Sequence, residues 1–431
     1  MNDELKDFVF TSSFIVPTSS SIVMASPTTA ISHEQVVSDL LGDGRVLRAF
    51  QFFEERAEEI TEEHADVCAI PAPPFGERAR AEYLAARLRL CGLKDARLDE
   101  EGNCVALRRG RGLRPLVVLS AHLDTVFPEG TSFTVRREGG RMLAPGIADD
   151  GCGLAALIAL ARALDEFEIE TEGSLLFVGT VGEEGEGNLR GARHLLTAGE
   201  WAKEIDAFLS LDGPGVERIT NAALASRRYR VRFAGAGGHS WGDFGAANPV
   251  HASGRAIARL VTYPAPARPR TSFNVGRVAG GTGVNVIAHE ATFDVDLRSE
   301  SAEELQRLDA FFRRAVREAA AEENAARRAG VAPLELEMKL IGDRPGGLTA
   351  PDSPLVLLAQ AATRAVGYQP RLDCSSTDSN VAISLGVPAL TIGAGGASGC
   401  SHTTEEWYDP RQRDHGLKRA LLVALGAVGL K

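Results

Sequence analysis

The stretch LVVLSAHLDTV, Leu116–Val126, decides how the rest of this chain is read. A run of aliphatic residues stops abruptly at His122-Leu123-Asp124. Leu116–Leu119 reads as a strand buried on both faces, because it is too short and too β-branched for a helix. In a mainly parallel sheet, chemistry gathers just beyond the carboxyl ends of the strands. His122 stands there as a candidate metal ligand. Asp124, two residues on, is placed to accept the other imidazole N–H and fix its tautomer. On its own, His-x-Asp does no more than end a strand. The pattern gains weight because it recurs.

LAPGIADDGCGLAALIALARAL puts Asp149-Asp150 before a glycine pair and an apolar helix from about Leu154 to Leu164. Taken alone, two acids at such a junction cap the helix. SLLFVGTVGEEGEGNLRGARH follows, with a buried strand at Leu175–Val181, Glu183-Glu184 between Gly182 and Gly185, and a helix from about Leu189. AFLSLDGPG repeats the arrangement, strand Ala207–Leu211 running into Asp212. In PALTIGAGGASGCSHTTEEW, strand Ala389–Ile392 enters a glycine-rich loop that delivers His402. Strands alternating with helices predict an α/β fold with a mainly parallel sheet flanked by helices. Its carboxyl edge gathers His122, Asp149, Glu183, Glu184, Asp212 and His402. Chance places one such residue easily, but not the whole set.

Before this core, Gly44–Glu63 has a helical pattern, Ile70–Glu77 (IPAPPFGE) is a loop, and a second helix runs from about Ala79 to Leu90. The middle of the chain behaves differently. Ser226–Phe233 alternates as a half-exposed strand. Asn248-Pro249 starts a helix to about Val261, proline suiting the first helical position. Strands follow near Ser272–Val278 and Ala291–Arg298. Ser301 and Glu304 form a capping box for a long helix to about Arg328, and Leu334–Leu340 alternates again. Strand-helix-strand-strand-helix-strand is the ferredoxin-like unit. The expected organisation is therefore an extension over 1–33, a catalytic domain over 34–215 and 345–431, and an inserted α+β domain over 216–344.

At 431 residues the chain exceeds one ordinary core, so more than one domain is expected. The net charge of −11, with no basic stripe, argues against a nucleic-acid partner. No apolar run is long enough to span a bilayer, so no membrane partner is expected. Six scattered cysteines without a CxxC pair read as reduced thiols of a cytoplasmic protein. The acidic, serine-interrupted start does not suit a secretory signal. It reads as a disordered tail, or as sequence upstream of a start at Met24.

Two imidazoles and three carboxylates are a mixed N/O set that suits zinc, with cobalt or manganese as alternatives. Five ligands exceed one tetrahedral ion and suit two divalent ions sharing a carboxylate. Such sites generate hydroxide near neutral pH, and one glutamate of the adjacent pair is free to act as general base. There is no GxSxG elbow and no Walker loop.

HLDT at His122, GIADD ending in Asp149-Asp150, GEEG around Glu183-Glu184, LD at Asp212, GGHS at Gly237–Ser240 and the late His402 with Glu406 resemble the dinuclear zinc peptidase and deacylase family. That family includes tripeptide aminopeptidase (peptidase T), glutamate carboxypeptidase, acetylornithine deacetylase and aminoacylase. The resemblance spans about Ala69 to Asp409, with the motifs in family order. It implies that Asp149 bridges both ions, His122 and Asp212 hold one, and Glu184 and His402 hold the other. Glu183 would be the base and Asp124 the orienter of His122. The inserted domain would mediate homodimerisation, act as a lid and supply His239, Asn285 and Arg298 to the substrate. Many relatives carry Lys two residues after the bridging Asp, where this chain has Gly151. EGNLRGAR, GGHSWGDFG and GGTGVNVIAHEATFDVDLRS look closest to the tripeptide-aminopeptidase side.

The expectation is a zinc-dependent amide hydrolase acting on short peptides. Deacylation of N-acyl amino acids at the same metal core is the alternative. A non-catalytic dimeric binding protein on a decayed scaffold is a different class, and retention of every ligand and of Glu183 argues against it.

Overall fold

Leu116–His122 and Ser174–Thr180 are buried along their whole length, as strands covered by helices on both faces must be. In the computed structural model, which describes residues 32–431, they are neighbours in a nine-stranded sheet. Leu116–His122 pairs on its other side with Ile205–Leu211, which pairs with Ala389–Ile392, all parallel. Cys104–Arg108 flanks this parallel centre on one side and Arg218–Ala223 on the other, both antiparallel. Odd-numbered Val117, Leu119, Leu175 and Phe177 pack under the helices Gly151–Glu166 and Arg413–Val428. Even-numbered Leu116, Val118, Leu176 and Val178 pack on the other face with Ala192, Leu195 and Val381. The period-2 geometry of a strand thus feeds two cores from one aliphatic run.

A second sheet is fully antiparallel, in the order Thr271–Gly280, Glu290–Ser299, Ala225–Ala234, Glu335–Arg344. Glu290–Ser299 buries every second residue, so one face meets helices Pro249–Leu260 and Ala302–Ala326. Val231, Phe233, Phe293 and Phe312 centre that separate core. This is the ferredoxin-like order read from the sequence.

Three local readings change. The insert does not begin at Val216: Arg218–Ala223 pairs with Ala389–Ile392 and Arg371–Ser375 in the large sheet, so the chain crosses over at Leu224. The Gly44–Glu63 pattern is two helices, Gly44–Glu55 and Ala57–Cys68, because Arg56 leaves helical geometry at φ −102°, ψ 24°. Of the capping box only half forms. Ser301 accepts the Glu304 N–H at 3.3 Å, while Glu304 Oε1 instead accepts the Tyr263 hydroxyl. The expected extension lies outside the described residues except for Ser32 and His33, and His33 opens a helix to Leu41. Met24 lies outside them too. Among the described residues no helix is long and apolar enough to cross a membrane.

Candidate metal centre

Three of the parallel strands lead directly into functional side chains. His122 is the last residue of its strand, Asp212 follows Leu211 directly, and Glu183-Glu184 lie three and four residues past Thr180. Asp149 precedes the helix that starts at Gly151, and His402 comes from the loop after Ile392. These elements converge on Asp149. Its Oδ1 lies 2.8 Å from His122 Nε2 and its Oδ2 lies 3.0 Å from His402 Nε2. His402 Nε2 is also 3.0 Å from Glu184 Oε1. Donor atoms within 4.8 Å of one another form the triads His122–Asp149–Asp212, Asp149–Glu184–His402 and His122–Glu183–Glu184, with Asp149 common to the first two.

Three further buried carboxylates brace the loops that carry these residues. Asp124 accepts the backbone N–H groups of Glu183 at 2.9 Å and Glu184 at 2.8 Å. This adds to its expected role: His122 Nδ1 lies 3.0 Å from the Asp124 main-chain carbonyl and 3.6 Å from its carboxylate. Asp150 caps the following helix through Gly153 N–H at 3.1 Å and also holds the N–H groups of His122 and Gly213. The capping role and the site role thus divide between the two adjacent acids. Glu406 accepts the N–H groups of Ala148 at 2.7 Å and Asp149 at 3.0 Å. At Gly151, a Cβ would collide with Cys68 Sγ, so the close approach of helix Ala57–Cys68 explains why glycine stands there.

Arg344 is the residue that sequence reading missed. It ends the last strand of the second sheet, where an arginine looks like a solvated face, yet it is 5% exposed. Its Nη1 donates to Glu183 Oε1 and to Ser376 Oγ, both at 3.0 Å, and Nη2 donates to the Glu183 main-chain carbonyl.

The electrostatics call for cations. Burial opposes the charge of His122, yet the neighbouring carboxylates of Asp124 and Asp149 raise its pKa well above the usual imidazole range. Hydrogen bonds to Asp149 and Glu184 lift His402 to about 10. Burial, then the charge of Asp149, pushes Asp212 up to about 7. Burial also raises Glu183, against the pull of Arg344. A nest of buried carboxylates that draws protons onto itself is a donor set suited to divalent ions.

The cavity over these residues holds about 710 Å³, and Arg218, Arg228, Arg298 and Arg344 line it. Of the three residues expected from the insert, Arg298 therefore reaches the cavity wall. His239 and Asn285 do not. They sit together elsewhere, His239 on a two-residue strand paired with Val286–Ile287, and Asn285 O accepting the Ser240 N–H at 3.0 Å.

The sequence profile of peptidase family M20/M25/M40 matches residues 118–425. The chain belongs to this family. Membership makes it a metal-dependent hydrolase. The uncharacterized protein YqjE of Bacillus subtilis is 28% identical over 309 residues, 68% of this chain and 76% of that protein. Succinyl-diaminopimelate desuccinylase of Leptothrix cholodnii is 29% identical, covering 50% of this chain and 62% of that enzyme. Carboxypeptidase G2 of a Pseudomonas species is 28% identical, covering 52% and 55%. Alignment with those two enzymes spans less than two thirds of their length. Among solved structures, a tripeptidase from Staphylococcus aureus superposes with a TM-score of 0.71 at 21% identity, covering 85% of this chain and 97% of that one. A dinuclear metal-binding M20 peptidase from Bacillus subtilis gives 0.65 at 18% identity, covering 87% and 99%. Both share the M20-family fold seen here.

Proposed function

We propose that this M20-family hydrolase cleaves amide bonds of short peptides at a site for two divalent ions, zinc first, with cobalt or manganese as alternatives. One observation carries the reading: the two oxygens of Asp149 meet two different imidazoles, at 2.8 and 3.0 Å. His122, Asp149 and Asp212 would hold one ion, and Asp149, Glu184 and His402 the other. Bound there, the ions supply a Lewis acid that polarises the scissile carbonyl and makes water acidic enough to attack near neutral pH.

The chain's own residues do the rest. Glu183 takes a proton from the attacking water and delivers it to the leaving nitrogen. Arg344 fixes the Glu183 carboxylate, and Asp124 fixes the backbone of the Glu183-Glu184 turn. Arg298, with Arg218 and Arg228 on the same cavity wall, orients a substrate carboxylate, for which guanidinium geometry is suited.

His239 and Asn285 act from a neighbouring subunit in this reading. Beside them, Trp241 is 87% exposed, Phe244 79% and Val284 fully exposed, an apolar patch of the kind that marks interfaces. The Thr271–Gly280 strand adds an unpaired sheet edge. A homodimer through this segment covers both. His239 Nδ1 accepts the N–H groups of Trp241 and Gly242, which leaves Nε2 to donate to the oxyanion of a partner's site. Six unpaired cysteines support a reducing, cytoplasmic setting.

The second reading is deacylation of N-acyl amino acids, which present the same carboxylate to the arginines. An amidase screen across short peptides and N-acyl amino acids, in metal-stripped protein resupplied with Zn, Co or Mn, tests both. Metal-dependent turnover of either class is expected. Full turnover in metal-free protein contradicts the proposal.

A further inference from the structure

We propose that a second cavity, sharing Val126 with the metal-centred one, receives an apolar acyl half of the substrate, either an N-terminal side chain or an N-acyl chain. This rests on the amide-hydrolase reading and adds which half of the substrate carries the apolar group. The cavity holds about 810 Å³ and lies between the loops Pro71–Gly76 and Pro128–Phe133. Val126 belongs to both walls, so the cavity adjoins the site four residues beyond His122.

Apolar side chains make up a large part of the lining, and its loops are held in place. Pro71, Pro73, Pro74 and Pro128 stand with Phe75 and Phe133, and Glu129 is the one ionisable side chain among the lining residues. Proline fixes φ, which lowers the entropy lost when a ligand orders the loops. The loops are tied: Thr125 donates its N–H to Ala72 O at 3.0 Å and its hydroxyl to the same oxygen at 3.2 Å. Phe133 stacks edge-on against Phe127, with ring centroids 6.2 Å apart.

Phe75 points to an occupant. Its backbone is left-handed at φ 65°, a region bulky residues avoid, and its side chain leaves the residue 63% exposed. A network maintains this costly placement. The Phe75 N–H donates to Glu77 Oε1 at 3.2 Å, Arg190 holds the same oxygen at 2.7 Å, and the Arg190 guanidinium lies over the Phe75 ring at 5.2 Å. Strain held by such a frame is a mark of ligand-contacting segments. Charge sets the proposed direction: a substrate carboxylate on the amine half meets the guanidinium groups lining the metal-centred cavity, and the acyl half extends toward Val126, which lines the same cavity.

The test compares kcat/KM of metal-loaded protein for N-acetyl-alanine and N-(4-phenylbutanoyl)-alanine, with Gly-Ala and Phe-Ala as the peptide pair. The larger acyl group should gain about 10–100-fold. Phe75→Ala, and Thr131→Asp on the cavity wall, should each cut that ratio at least about fivefold. A turnover-free arm measures 4-phenylbutyrate binding by calorimetry, expected to weaken about fivefold or more in both variants. Equal rates for both acyl sizes, or ratios and 4-phenylbutyrate affinities unchanged in the variants, overturn the proposal and leave the hydrolase reading intact. If no amide is cleaved, the hydrolase reading fails and calorimetry alone decides: binding that the variants weaken supports the pocket, and its absence overturns it.

Discussion

Replacing Arg344 with methionine should cost far more than a surface arginine would. The Arg344–Glu183 pair is 3.0 Å apart, with its side chains 5% and 6% exposed. At an effective dielectric of about 20, charges at that separation attract by about 5 kcal/mol. Desolvation offsets much of that while the pair is intact. With the cation gone, the buried carboxylate is unpaired, and at an alkaline pH that keeps it ionised such removals cost about 3–5 kcal/mol. Glu183→Gln should remove most of this penalty, since a neutral amide replaces the orphaned charge. Urea denaturation of metal-free wild type, Arg344→Met, Glu183→Gln and the double variant closes the cycle. The double variant should be more stable than Arg344→Met alone, with a coupling of about 2 kcal/mol or more. A coupling below about 0.5 kcal/mol would refute the claim that Arg344 exists to hold Glu183.

Other outcomes follow from the same geometry. Glu183→Gln should keep both ions, by atomic emission, while kcat falls about 10²–10⁴-fold; near-normal kcat would hand the base role to another group. Metal-free protein should lose stability as pH rises. Asp212 is raised from 3.8 to about 7 and His402 from 6.5 to about 10, so each favours folding only while it holds its proton. Thermal melting from pH 4 to 10 should show that decline in stripped protein and a much weaker one with ions bound, since metal replaces those protons. Mixing inactive His239→Ala with inactive Glu183→Gln under subunit exchange should restore activity in mixed dimers. A verified mixed dimer that stays inactive would show that His239 does not act across the interface.

The convergence was legible because His122, Glu184 and Asp212 end or closely follow strands whose aliphatic runs leave no doubt about burial, while Asp149 opens an apolar helix and His402 sits in the glycine-rich loop after a fourth such strand. Such runs locate the sheet, and the sheet locates its own edge. Arg344 was not legible, because an arginine closing an alternating strand looks the same whether it meets water or Glu183. Asp124 shows a subtler limit. Its spacing from His122 suggested a carboxylate–imidazole pairing, but not that the tertiary position of the Glu183-Glu184 turn would also give it two backbone N–H donors. The crossover at Leu224 was also hidden. Arg218–Ala223 (RITNAA) is too polar to announce a strand, and its place comes from pairing with Ala389–Ile392 and Arg371–Ser375. Phe75 sits in a stretch that reads as an ordinary proline loop, and its left-handed backbone appears only in three dimensions.

The central claim is that Asp149 serves two ions at once, and metal stoichiometry tests it most directly. Wild type, Asp149→Ala, Asp212→Ala and His402→Ala would be stripped, reloaded with zinc, dialysed and assayed by atomic emission. Two ions per chain are expected in wild type, about one in Asp212→Ala and in His402→Ala, and close to none in Asp149→Ala. A folded Asp149→Ala protein that still retains two ions would contradict the account.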